Sequence, residues 1–141
     1  MRPANILRRF VWAWEVILCV AGCNGPSDRF VIRGTVTLDG KGIPKGSIAF
    51  RPLESARSPS AGAEIVDGQF SIPAEKGVRP GQFRVEIIAT RKTGKSIKDP
   101  VFGPTDVEVQ YLPPRYNIRS ELTADITADK ADELNFELKS N

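Results

Sequence analysis

Seven short runs between Phe30 and Lys139 alternate apolar with polar residues, and none of them carries a sustained repeat of 3.6 residues. Alternation of period two sends successive side chains to opposite faces of an extended chain, so each run predicts a strand with one buried face. FVIRGTVTL places Ile32, Val36 and Leu38 opposite Arg33, Thr35 and Thr37. GSIAFR adds Ile48 and Phe50. AGAEIV and QFSI, with Ile65, Phe70 and Ile72, flank Asp67-Gly68, the dipeptide that best supports the positive φ angles of a tight hairpin. QFRVEIIATRK is the longest run and turns Phe83, Val85, Ile87 and Ala89 inward. SELTADIT contributes Leu122, Ala124 and Ile126, and ELNFELK contributes Leu134, Phe136 and Leu138. One-sided strands in this number, separated by Gly, Pro and Asp, predict an all-β fold: a seven-stranded antiparallel β-sandwich occupying residues 30–141.

Between the fifth and sixth runs, residues 93–117 read TGKSIKDPVFGPTDVEVQYLPPRYN. Pro100, Pro104, Pro113 and Pro114 exclude a central strand, and TDVEVQY fits a short edge strand. Two readings of this stretch stand side by side. It is a functional excursion, as long loops in compact domains often are. Or it is a cover strip that packs Phe102, Leu112 and Tyr116 over an open sheet edge.

The N-terminus has a different character. Arg2, Arg8 and Arg9 precede the apolar run FVWAWEVILCVAG, which ends in small residues at Gly22. A basic region, a short apolar region and a small-residue exit form the layout of a secretory signal, here residues 1–22, and the run is shorter than the roughly 20 residues a spanning helix needs. Glu15 is the residue that fits a buried N-terminal helix better. Val20-Ala21-Gly22-Cys23 resembles the lipobox of bacterial lipoproteins. That resemblance implies cleavage between Gly22 and Cys23, a diacylglycerol on the Cys23 sulfur, and a polar tether over residues 23–29. Two or more acyl chains hold a soluble domain at a membrane stably. The membrane, reached through this lipid, is thus the first expected partner, and the domain is expected to face the periplasm or the exterior.

Removing the signal changes the electrostatics. The chain has 20 basic and 17 acidic side chains; three arginines and one glutamate lie before Cys23, leaving 17 against 16. That balance argues against a nucleic-acid partner, which would select a strong basic excess. Cys23 is then the sole cysteine, so no intramolecular disulfide forms.

Two further stretches, GTVTLDGKGIPKGSIAFRP and SAGAEIVDGQFSIPAEKGVRPGQFRVEI, followed by QYLPPRYN and LNFELK, resemble the carboxypeptidase regulatory-like (transthyretin- or prealbumin-like) domains, and in particular the small planctomycete-type lipoproteins that carry one. The resemblance implies a seven-stranded prealbumin-like sandwich, exported, membrane-anchored and with no established catalytic activity. The motif residues themselves specify a scaffold. Gly34 lets backbones approach closely, and Asp39-Gly40 and Asp67-Gly68 make turns.

Little in the composition points to catalysis. The chain has no histidine, which removes Ser-His-Asp and Cys-His arrangements and His-ligated zinc. The carboxylates Asp125, Asp129, Asp132 and Glu133, and Asp99, Asp106 and Glu108, lack the spacing of a calcium loop and read as solvated turns. No catalytic residue, metal ligand or cofactor is therefore expected. Candidate ligand contacts are Tyr111 and Tyr116, and the basic strip Arg91, Lys92, Lys95 and Lys98, which fits anionic lipid headgroups or an acidic partner, or else simple solvation of a strand end. The expected role is a structural or protein-interaction module that meets an envelope protein. The alternative is a carbohydrate-binding accessory domain, which gains if both tyrosines are exposed on a common face and falls if both are buried.

Overall fold

The computed structural model describes residues 28–54 and 56–141. The signal segment, Cys23 and most of the tether lie outside these residues. All seven predicted runs form strands: β1 (Ile32–Leu38), β3 (Lys45–Pro52), β4 (Ala61–Val66), β5 (Gln69–Ile72), β6 (Gly81–Asp99), β8 (Thr123–Ile126) and β9 (Leu134–Leu138). Two more complete the set, the two-residue β2 (Lys41–Gly42) and β7 (Gly103–Gln110). Among the described residues, helix is confined to two single 3-10 turns, Ala74–Lys76 and Pro114–Tyr116.

The strands form one open hydrogen-bonded array in the order β2-β1-β5-β4-β3-β6-β7, with β8 added to β6 and β9 to β1. Among the described residues every pairing is antiparallel except that of β9 with β1, which is parallel from Gly34↔Leu134 to Leu38↔Leu138. Local chemistry sets the hairpins. Asp39 and Gly40 (φ +50° and +81°) turn β1 into β2, and Asp67 and Gly68 (φ +50° and +76°) turn β4 into β5. Both pairs have the left-handed backbone that a two-residue hairpin loop requires.

β6 organises the array. Its first half pairs with β3 from Phe83 to Ala89 and with β8 from Gly81 to Arg84. Phe83, Val85, Ile87 and Ala89 are consequently fully buried. They join Ile32 and Val36 of β1, Ile48 and Phe50 of β3, Ile65 of β4, Phe70 and Ile72 of β5, Ala124 and Ile126 of β8, and Phe136 and Leu138 of β9 in one core. At its centre the rings of Phe50, Phe70 and Phe136 meet in tilted contacts with centroids 6.0–6.3 Å apart.

The segment 93–117 divides between the two readings. Leu112 and Tyr116 are buried and cover the core. Phe102 does not: it is 84% exposed. The reason is that β6 does not stop at Lys92. It continues to Asp99 and returns as β7, so Phe102 sits at the apex of a ribbon and away from the core. The proline expectation holds locally, since Pro104 lies in β7, at the end of the strand order.

Candidate functional site

The alternation that buries the core residues also lines up their outward neighbours. Arg33 and Thr35 of β1, Glu64 and Val66 of β4, Gln69 and Ser71 of β5 and Asn135 of β9 line an open groove of about 960 Å³. The turn before β9 closes one end. The Arg33 N–H donates to the Ala131 carbonyl (3.0 Å) and Ala131 is buried, which brings Asp132 and Glu133 to the rim. Gly34 forms part of the floor above Phe70, whose ring is only 4% exposed.

Most polar groups in this groove have no protein partner. Thr35 Oγ1 donates to Asn135 Oδ1 at 2.7 Å. Among the described residues, the side chains of Arg33, Glu64, Gln69, Ser71, Asp132 and Glu133 make no other hydrogen bond or ion pair with the protein, and all are exposed to solvent. One guanidinium stands against the four carboxylates of Glu64, Asp67, Asp132 and Glu133. The groove therefore favours cationic or hydroxyl-rich groups, which accept no repulsion from carboxylates and can donate to them. Among the described residues, no three Asp, Glu, Cys or His side chains come close enough to hold a metal ion.

The residues singled out from sequence lie elsewhere. Tyr116 is 8% exposed and its hydroxyl accepts the Lys139 N–H at 2.9 Å. Tyr111 is half-buried against the core, with the Arg91 guanidinium 5.8 Å from its ring centroid. With Tyr116 buried and Tyr111 half-buried, the two rings are not both exposed on a common face, so the carbohydrate reading gains no support from them. Lys92 is bound to Asp106 at 2.6 Å; hydrogen bonding to that carboxylate, and then its charge, hold the ammonium pKa above the ordinary lysine value. Arg91 and Lys92 are thus engaged within the protein, whereas Lys95 and Lys98 have no acidic partner among the described residues. Of the carboxylates read as solvated turns, Asp132 and Glu133 line the groove. Asp99 instead accepts the N–H groups of Phe102 (2.9 Å) and Val101 (2.8 Å), which hold its carboxyl below the usual aspartate range.

The groove escaped sequence reading because its members are far apart in the chain; Thr35 and Asn135 are separated by 100 residues. The available signal was the polar face of each strand, and nothing local says which polar faces become neighbours. Comparison of the chain with protein-family models, with curated proteins and with solved structures gives no match.

Proposed function

We propose that this chain is an exported, lipid-anchored β-sandwich of transthyretin-like topology that serves as a non-catalytic interaction module of the cell envelope, docking a basic segment of an envelope protein in the groove over β1, β4, β5 and β9. The sandwich reading is supported by the two strand groups β8-β6-β3-β4 and β9-β1-β5, whose apolar faces meet through Phe50 on one and Phe70 and Phe136 on the other. The anchor reading rests on Val20-Ala21-Gly22-Cys23 and the basic and apolar stretches before it. The observation that carries the interaction role is the set of unpartnered polar side chains lining the groove, in which carboxylates outnumber the single arginine. A protein partner is favoured over a glycan because sugar platforms usually present an aromatic face, and among the described residues the only ring lining this groove, that of Phe70, is buried.

The anchor is tested by the intact mass of protein extracted from membranes. The expected species begins at Cys23 and carries acyl mass, and Cys23→Ala abolishes it; a full-length, unmodified chain sinks the anchor. The groove is tested by a photoreactive side chain at Ser71, with Lys76, which does not line the groove, as control. Crosslinks to an envelope protein are expected from Ser71 alone, reduced about fivefold by Glu64→Lys with Asp132→Lys. Equal yields from both positions, or no effect of charge reversal, would discard the groove as the contact surface. A carbohydrate adduct at Ser71 would restore the alternative.

A further inference from the structure

Beyond Ala89, the last core residue of β6, the chain leaves the body of the protein. Thr90–Asp99 and Gly103–Gln110 pair only with each other, as a two-stranded ribbon. Every residue from Arg91 to Lys98 is exposed. Nine steps of extended chain reach roughly 25–30 Å, shortened by the irregularity between Lys92 and Ser96. There Thr93 Oγ1 bonds the Val107 carbonyl at 2.9 Å and Gly94 takes φ +77°.

The apex of this ribbon is fixed in a way that turns apolar groups outward. Asp99 Oδ1 caps the N–H groups of Val101 and Phe102, Pro100 restricts the first loop position, and Gly103 takes φ +78°. With the loop backbone satisfied internally, the side chains of Val101 (80% exposed) and Phe102 (84%) point away from the protein, and Ile97 (59%) lies just behind them. An edge ribbon that only needed to stay soluble would carry charge at its apex.

The charges are arranged by distance from the apex. Near the body, Lys92 is neutralised by Asp106, and Glu108 accepts the Thr90 hydroxyl at 2.7 Å and faces Lys45 at 3.9 Å. Toward the apolar tip stand Lys95 and Lys98, with no acidic partner among the described residues; of the two carboxylates there, Asp106, opposite Ser96, is engaged by Lys92, and Asp99 is turned onto its own loop. A convex apolar wedge backed by unpaired lysines suits a surface that yields to it and is negatively charged. Lipid does both: the wedge enters the acyl boundary, and lysine stems lie along it with their ammonium groups among the headgroups. A protein partner would instead need a preformed pocket matched to the wedge.

We propose that the β6–β7 tip, Ile97, Val101 and Phe102 with Lys95 and Lys98, is a non-covalent docking element for an anionic lipid surface. From the proposed function this takes only that a membrane lies within reach; it does not require the acyl chain. Two attachment points, one at the N-terminus and one at the tip, would fix the orientation of the domain and of its groove relative to the bilayer.

The test uses the full chain with Trp12→Phe and Trp14→Phe, so that Phe102→Trp becomes the sole tryptophan; Ile118→Trp, at an 86%-exposed site away from the ribbon, is the control. Vesicles of phosphatidylcholine, with and without phosphatidylglycerol, carry brominated acyl chains that quench tryptophan only on contact. Trp at 102 is expected to shift blue and be quenched on the anionic vesicles, Trp at 118 to do neither. Lys95→Glu with Lys98→Glu should lower the quenched fraction about tenfold. A chain that floats with vesicles while Trp at 102 stays unquenched overturns the tip and leaves the anchor standing. Equal quenching at both positions, or on neutral vesicles alone, also overturns it. So does a blue shift that grows with protein concentration without lipid, which would assign the tip to a second copy. The anchor itself is judged separately, by acyl mass on Cys23.

Discussion

Phe50→Ala is expected to remove about 3–5 kcal/mol of folding stability, read as a lowered urea midpoint with an unchanged slope. Phe50 is fully buried, and its ring meets those of both Phe70 and Phe136. Truncating it forfeits the transfer energy of a phenyl group and leaves a cavity walled by two aromatic rings, neither of which can collapse without shifting its own strand. A single domain of this size holds about 5–15 kcal/mol in total, so the variant should lie close to the threshold for folding at body temperature. A loss under about 1 kcal/mol would mean that the three rings do not share a core. Phe102→Ala is the comparison: with 84% of that side chain already in water, stability should hardly move.

Gly34→Ala should be nearly as damaging although it adds one methyl. A Cβ at Gly34 would run into the carbonyl oxygen of Leu134 and lie 2.8 Å from the Phe70 ring. The Leu134 carbonyl is backbone and cannot rotate aside, so the methyl fits only if β9 moves off β1. The cost is put at about 3 kcal/mol, the upper end for overpacking, with the amides of β9 losing hydrogen-exchange protection before those of β6. Gly40→Ala separates clash from backbone strain. That residue has φ +81° and nothing within 4 Å of an added Cβ, so only the conformational penalty of about 1 kcal/mol applies. If the two variants are equally stable, the close approach of β1 and β9 is wrong.

These two sites differ in what made them legible. Phe50 stands out because Ile48, Phe50 and their polar neighbours alternate, and alternation has meaning only if one face is dry. The same rule found Phe83, Val85, Ile87 and Ala89. It failed a few residues later on the same strand. Thr93–Asp99 reads as irregular because both faces of the ribbon meet water, so no face selects apolar residues and period two vanishes although the backbone remains extended. Phe102, just beyond that stretch, fits a cover strip by its apolar character alone, but its position at a capped turn exposes it, as it does Val101.

Gly34 was readable as a point of close approach, but not what approaches it. Its neighbour is Leu134, 100 positions later, and the parallel pairing of β9 with β1 has no local signature. Hairpins differ: Asp39-Gly40 and Asp67-Gly68 carry their turn geometry in two residues, which is why those partners follow from the chain alone. The sequence by itself thus determined the strands that bury one face, the side chains that enter the core and the two tight turns, because each is set by forces acting over a few residues. Only the tertiary structure decided that β9 lies along β1, that the polar faces of four strands make one groove, and that the β6–β7 ribbon stands clear of the core. Those outcomes depend on which buried faces share a core, and that choice is made by packing between residues far apart in the chain.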